Sequence, residues 1–104
     1  MINPIQDRAM TTTKQPLLSI LIVSYNTRAL TVQTIESVLA DVKQSATLRH
    51  SVELIVIDNN SSDDSVKHVR QLLTSASANV LSQWSVIENK DNKGFAVANN
   101  QGIK

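Results

Sequence analysis

The order of apolar and amphipathic segments is the feature that most constrains this chain. Three short runs rich in Leu, Ile and Val predict β-strands over Leu17–Ser24, Val52–Asp58 and Trp84–Asn89. Segments with apolar residues near helical spacing follow each run and predict helices over Thr27–Gln44, Ser61–Leu73 and Lys93–Lys104. Strands separated by helices of this length join through right-handed crossovers into a parallel sheet. The sequence therefore predicts a Rossmann-like α/β fold, of β-α-β-α-β-α order, with helices on both faces of a parallel sheet.

The apolar positions also predict which residues are buried. The first run is almost continuously apolar, which is typical of a strand buried on both faces. The residues expected to face the sheet from the three helices are Leu30, Ile35, Val38, Leu39, Val42, then Val66, Val69, Leu72, Leu73, and then Phe95, Ala98, Ile103. Asn26 or Thr27 can cap the first helix, and Ser61 with Asp64 resembles a capping box for the second.

Composition excludes several functional classes. A net charge of +1 gives no electrostatic reason to expect a nucleic-acid partner. The chain has no cysteine, and its two histidines, His50 and His68, are too far apart for a zinc site. No apolar run approaches the roughly 18 residues of a membrane span, and residues 1–16 lack the apolar core of a signal peptide. We predict a flexible lead-in over 1–16, one domain over 17–104 and, by default, a cytoplasmic location.

Polar clusters follow each predicted strand: "SYN", "DNNSS" and "NKDNKGF". Ligands of open parallel sheets bind at the carboxyl ends of the strands, so these clusters are the candidate site. Each also has a structural explanation: Tyr25 can cover the sheet edge, Ser61 or Ser62 can cap a helix, and Gly94 can occupy a left-handed turn. Capping alone leaves Asp58 and Asn59 unexplained.

Familiar nucleotide motifs are missing. The chain has neither Gly-x-Gly-x-x-Gly after the first strand nor a Walker A loop, which argues against dinucleotide-binding Rossmann and P-loop proteins. A receiver domain would need an acidic pair after the first strand, and none is present.

Taken together, "SILIVSYN", "ELIVIDNNSSDDS" and "NKGFAVANNQGI" resemble the N-terminal half of family-two inverting glycosyltransferases with the GT-A fold, over Leu17–Lys104. The amide-rich forms "DNNS" and "GFAxANNxG" are most similar to the rhamnosyltransferase-like branch. The resemblance implies transfer of a sugar from a UDP- or dTDP-sugar to a hydroxyl of a saccharide or lipid-linked acceptor. Such enzymes often build bacterial surface polysaccharide at the inner face of the membrane.

The resemblance also implies roles for individual residues. Val23 to Asn26 would hold the base and ribose, with Tyr25 packed on a pyrimidine, and Asp58 and Asn59 would lie at the base–ribose edge. Many relatives carry a second aspartate at the position of Asn59. The full set of implied nucleotide-sugar-binding residues is Val23, Ser24, Tyr25, Asn26, Asp58, Asn59, Asn92, Gly94 and Phe95. Asn99 and Asn100 would begin the face that leads to the metal.

Sugar transfer by such enzymes also needs a metal site and a catalytic base. The family's metal-binding Asp-x-Asp and its catalytic base are expected beyond Lys104, so the resemblance implies Mg²⁺ or Mn²⁺ in the full-length enzyme and an inactive 104-residue chain. Asp63 and Asp64, at a predicted helix start, are not that metal pair. Two alternatives stay open: a non-catalytic nucleotide-binding or assembly module, and a nucleotidyltransferase, which would favour a Gly-rich basic loop where this chain has only Arg28. Exposed sheet edges and helix faces would permit a homo-oligomer.

Overall fold

The computed structural model describes residues 16–103, so the predicted lead-in falls almost entirely outside the described residues. The elements are β1 (Leu18–Ser24), α1 (Arg28–Gln44), β2 (Val52–Asp58), α2 (Ser65–Ala76), β3 (Gln83–Glu88) and α3 (Phe95–Ile103). This order confirms the predicted alternation of strands and helices. No helix within the described range is long and apolar enough to cross a bilayer.

The three strands form one parallel sheet in the order β1-β2-β3. The register pairs Ser24 with Asp58 and Asp58 with Glu88, so the strands end side by side. The loops that follow the strands therefore leave the sheet from a common edge, as the sequence predicted.

Helices cover both faces of the sheet. On one face, α1 and α2 pack against β2 through a core in which Ile35, Leu73 and Leu54 are completely buried. Successive strand residues point to opposite faces, so Leu21 lies on the other face, where it meets α3 at Gly102. The predicted α/β architecture is thereby confirmed.

β1 differs from the prediction of a strand buried on both faces. It lies at one edge of the described sheet, and Leu18 is 45% exposed. The most buried strand is β2, whose Val52, Leu54 and Ile57 have no exposed surface. An apolar run predicts a strand but does not determine its place in the sheet, which depends on the strands beside it.

Two predicted core residues are exposed. Leu30 is 61% exposed because it lies one residue off the buried stripe of α1, which begins at Thr31 and continues through Ile35. Ile103 is 72% exposed at the last residue of α3, whereas Ala98 is completely buried as predicted. The side chain of Phe95 lies outside the described part of the structure. The other predicted helix-face residues are buried or partly buried.

Candidate functional site

The second and third loops are each joined, at their first residue, to the end of the neighbouring strand by a backbone hydrogen bond. The N–H of Asn59 donates to the carbonyl of Ser24 over 2.8 Å, and the N–H of Asn89 donates to the carbonyl of Asp58 over 2.8 Å. The sheet ladder thus continues one residue beyond β2 and one beyond β3. The starts of the second and third loops are therefore fixed by the sheet.

Asp58 is a buried carboxylate that orders its own loop. Its side chain is 2% exposed, its Oδ2 accepts the Ser61 N–H over 2.8 Å, and its Oδ1 accepts the Ser61 hydroxyl over 2.6 Å. An aspartate that accepts hydrogen bonds from residues shortly after it stabilises a tight turn. The interpretation of Asp58 as a residue left over by local turn chemistry is therefore wrong, although each carboxylate oxygen keeps a second lone pair.

Asn59 connects the second loop to the third. Its side chain is 3% exposed, its Nδ2 donates to the Gly94 carbonyl over 3.3 Å, and its Oδ1 accepts from Asn89 Nδ2 over 2.8 Å. An amide donates through its nitrogen and accepts through its oxygen, whereas an ionised aspartate only accepts and could not make the bond to Gly94. Asn89 also exchanges two hydrogen bonds with Gln101 of α3, at 2.8 and 2.9 Å.

Asn89 and Gln101 are site residues that the sequence interpretation did not identify. Asn89 occupies the position after β3 that Asn59 occupies after β2, and this repetition is the signal that could have found it. Gln101 carried no comparable signal, because its role depends on how α3 lies against the third loop.

The first loop carries an exposed aromatic ring. Tyr25 is 49% exposed, whereas Ser24 beneath it is buried and shares a 2.9 Å hydrogen bond with the Thr31 hydroxyl. Val23, one residue earlier in β1, is partly buried. Tyr25 is therefore the residue of this loop that can present a flat apolar surface to a ligand.

Asn26 holds the first loop against the second. Its backbone is left-handed, with a φ of 49°. Its N–H donates to Ser61 Oγ over 2.8 Å, and its Oδ1 accepts the Ser62 N–H over 2.8 Å. The Ser61 hydroxyl accepts from Asn26 and donates to Asp58, so one side chain links the Tyr25 loop to the buried carboxylate.

The third loop turns at Gly94. Its φ of 94° is a conformation that favours glycine, and Asn92 Oδ1 accepts its N–H over 2.9 Å. A Cβ built at Gly94 would meet no atom within 4 Å, so the glycine is required by backbone conformation and not by crowding. Asn92 and Gly94 are exposed, and the space before them is open to a ligand.

The predicted cap of α2 is wrong, whereas Thr27 occupies the N-cap position of α1 as predicted but does not cap it with its side chain. Helix α2 begins at Ser65, and the residue before it, Asp64, is left-handed with a φ of 63° and makes no side-chain capping bond. Ser61 cannot cap this helix because its hydroxyl is engaged with Asp58. Thr27 precedes α1, again without a side-chain capping bond, and the side chain of Asn26 accepts from Ser62 instead.

Asp63 caps both helices in their place. Its Oδ2 accepts the N–H of Arg28 over 3.0 Å, and its Oδ1 accepts the N–H of Ser65 over 3.2 Å and the Ser65 hydroxyl. The hydrogen bond from the Ser65 hydroxyl, helped by the N–H groups of Arg28 and Ser65, lowers the pKa of Asp63 below its ordinary value of 3.8 against a smaller opposing effect of desolvation. Asp63 is therefore an anion at neutral pH.

An open cleft of about 470 Å³ lies between the start of α1 and the Asp63–Asp64 segment. Within residues 16–103, no group of three or more histidine, cysteine, aspartate or glutamate side chains could hold a metal ion. The described residues therefore offer no candidate metal centre.

Comparison with known proteins gave a family and a fold. The sequence profile of "Glycosyl transferase family 2" matches residues 19–104. No curated protein shows significant similarity to the chain. One matching solved structure is a mannosyltransferase from Pyrobaculum calidifontis in complex with GDP-Man and Mn²⁺, with 24% identity and a TM-score of 0.65. The match covers 96% of this chain and 27% of that one, so the chain spans about a quarter of that protein's length. At this identity, the similarity shows a shared GT-A-like fold.

Proposed function

Because the chain belongs to glycosyl transferase family 2, we propose that it is the donor-binding part of a glycosyltransferase that uses a nucleotide-diphosphate sugar. The observation that carries this proposal is the convergence of three loops at one sheet edge, where hydrogen bonds join Asn26, Asp58, Asn59 and Gly94. This edge is where open parallel sheets bind their ligands.

The finer assignment rests on the motifs. The amide-rich second and third loops support a rhamnosyltransferase-like enzyme that uses a UDP- or dTDP-sugar and inverts the transferred anomeric centre. In this proposal the acceptor is a hydroxyl of a saccharide or lipid-linked saccharide, and the product belongs to bacterial surface polysaccharide. The solved mannosyltransferase, described with GDP-Man, supports the general class of donor, so guanine is the base to test against uracil and thymine.

In this proposal, each of the loops after β1, β2 and β3 contacts a different part of the nucleotide-sugar donor. The exposed ring of Tyr25 offers a face on which a base can stack. Buried Asp58 and Asn59 form the floor against which the edge of the base and ribose would lie. The left-handed turn at Gly94 would let the backbone of the third loop approach the ribose and diphosphate closely.

The divalent cation, Mg²⁺ or Mn²⁺, is part of the proposal for the intact enzyme only. A cation of this kind offsets charge on the leaving diphosphate. Residues 16–103 offer no set of side chains that fits it, so we assign no metal ligand among them. The catalytic base that would deprotonate the acceptor hydroxyl is likewise assigned to another part of the enzyme. A cytoplasmic, peripheral site of action at the inner membrane face completes the proposal.

Replacing Tyr25 tests the binding site directly. We expect Tyr25→Ala to weaken binding of UDP or dTDP by about tenfold or more, because stacking of a base on an aromatic ring contributes roughly 1–3 kcal/mol. Isothermal titration calorimetry of the intact protein with UDP, dTDP and GDP, each with Mn²⁺, measures this effect. Tyr25→Phe keeps the ring and should bind as the unmodified protein does. Equal affinities for the alanine and phenylalanine variants would contradict the base-binding role.

Turnover distinguishes the enzyme from a non-catalytic module of the same fold. The proposed enzyme hydrolyses or transfers the sugar of its donor slowly even without its natural acceptor, releasing the nucleoside diphosphate. Binding of nucleotide with no release of UDP, dTDP or GDP from any donor sugar, with or without saccharide acceptors, would favour the module.

A further inference from the structure

One carboxylate lies between the first turns of two helices. Asp63 accepts the N–H of Arg28 at the start of α1 through Oδ2, and the N–H of Ser65 at the start of α2 through Oδ1. The first four N–H groups of any helix lack partners within the helix. Here, a single side chain satisfies one such group in each of two helices.

Neither helix has a cap of its own. Thr27 and Asp64, which precede α1 and α2, make no side-chain capping bond, and neither helix has an acidic residue in its first turn. Arg28 and Lys67 instead place positive charges near helix ends that already carry positive partial charge. Asp63 therefore supplies to both helices the side-chain acceptor that their own N-cap residues do not provide.

Asp63 is also the last link in a series of contacts between two loops. Asn26 donates to Ser61 and accepts from Ser62, and Arg28 donates to Asp63, so the loop after β1 runs along the loop after β2. These partners are 35 or 36 residues apart in sequence. Among these links, only the Asp63 carboxylate reaches two helices.

We propose that Asp63 is a positioning residue for nucleotide binding, which holds the loop bearing Tyr25 at a fixed separation from the loop bearing Asp58. The inference rests on the proposed function, since the bound molecule is the nucleotide. Asp63 acts without touching that molecule. A pocket whose walls are already held in place loses less conformational freedom on binding, and affinity is higher for that reason.

The test compares Asp63→Ala and Asp63→Asn with Asp64→Asn, a matched control one residue away. Asp64 makes no capping bond, and asparagine tolerates its left-handed backbone, so the control should bind as the unmodified protein does. Calorimetric titration of the intact protein uses Mn²⁺ and whichever of UDP, dTDP and GDP binds it most tightly. We expect affinity to fall about tenfold for Asp63→Ala, because the loop bearing Tyr25 would then have to be ordered on binding, at a cost of about 0.5–1.5 kcal/mol for each immobilised side chain. Asp63→Asn should lie between, because its single amide oxygen can cap only one helix.

A merely structural role would have a different signature. It would lower the melting temperature of the Asp63 variants and leave the affinity of the folded protein unchanged at temperatures well below melting. Unchanged affinity in folded Asp63→Ala would overturn the inference, as would an equal loss in Asp64→Asn. If Asp63→Ala does not fold, Asp63→Asn is used instead, and unchanged affinity in that variant would overturn the inference.

The outcomes also separate this inference from the proposed function. If the unmodified protein binds none of the three nucleotides, the proposed function fails and this inference fails with it. If the unmodified protein binds one of them and both Asp63 variants bind it equally well, only the positioning role of Asp63 is overturned.

Discussion

At the scale of single residues, the polar side chains of the candidate site are already hydrogen-bonded to other residues of the site. Asp58 and Asn59 have almost no exposed surface, and their polar atoms bind Ser61, Asn89 and Gly94. The exposed parts are the Tyr25 ring and the third-loop turn at Gly94. A ligand would therefore meet a floor that is already ordered and an aromatic wall that is accessible.

The bridging role of the Asn59 amide can be tested by Asn59→Asp, which replaces the amide nitrogen with an oxygen. Asn59→Asp removes the donor to the Gly94 carbonyl and buries a charge beside that oxygen. We expect the free energy of unfolding to fall by about 1–3 kcal/mol, as for other buried groups left without a partner. Urea denaturation followed by circular dichroism measures the change.

Asn60→Asp is the matched control for this experiment. Asn60 is exposed, and its left-handed φ of 68° is one that aspartate tolerates, so the control should unfold at the same urea concentration as the unmodified protein. Equal destabilisation by the two variants would contradict the bridging role of the Asn59 amide.

At the scale of elements, the close approach of α3 to β1 depends on Gly102. A Cβ at this position would lie 2.0 Å from Cδ1 of Leu21, so alanine requires the leucine side chain to move. We expect Gly102→Ala to destabilise the protein by roughly 1–3 kcal/mol through overpacking, reduced by the roughly 1 kcal/mol by which alanine favours a helix.

A double-mutant cycle with Leu21→Ala isolates this contact. Removing the leucine side chain makes room for the new methyl group, so Gly102→Ala should cost much less, or should stabilise, when Leu21 is already alanine. Additive effects in urea denaturation would show that the two positions do not compete for the same space.

The sequence predicted the elements well and their ends less well. Apolar runs and helical spacing predicted the order of strands and helices, and parallel connection predicted that Ser24 and Asp58 would end at one edge. The burial of Leu30 was predicted wrongly, because Leu30 lies off the three- and four-residue spacing that joins Thr31, Ile35 and the rest of the buried stripe. The capping by Asp63 could not be predicted, since its partner Arg28 is 35 residues distant and no local spacing relates them.

At the scale of the whole molecule, the described sheet has three strands, and β1 pairs on one side only. Leu17 and Leu18, at the start of this edge strand, are 65% and 45% exposed. An exposed apolar edge strand is a template for pairing with another chain. We therefore expect the 104-residue chain by itself to self-associate or to be marginally stable.

Analytical ultracentrifugation over a range of protein concentrations measures this tendency. Leu18→Lys places a charge on the edge strand and should shift the chain towards monomer. Leu30→Lys, at a leucine on α1 that is even more exposed than Leu18, should not. A chain that is monomeric at every concentration and unfolds in one sharp thermal transition would contradict the expectation.

Residues with a left-handed backbone around the site restrict which substitutions homologues can carry there. Asn26, Asn60 and Asp64 each have a positive φ, and all three are exposed. A left-handed backbone costs most side chains roughly 1–2 kcal/mol, whereas glycine, asparagine and aspartate adopt it readily. Surface position alone would suggest that these three residues vary freely among homologues. The backbone conformation instead favours glycine, asparagine or aspartate at each of the three positions. The rim of the site should therefore be among its slowest-evolving parts, even where no side chain touches a substrate.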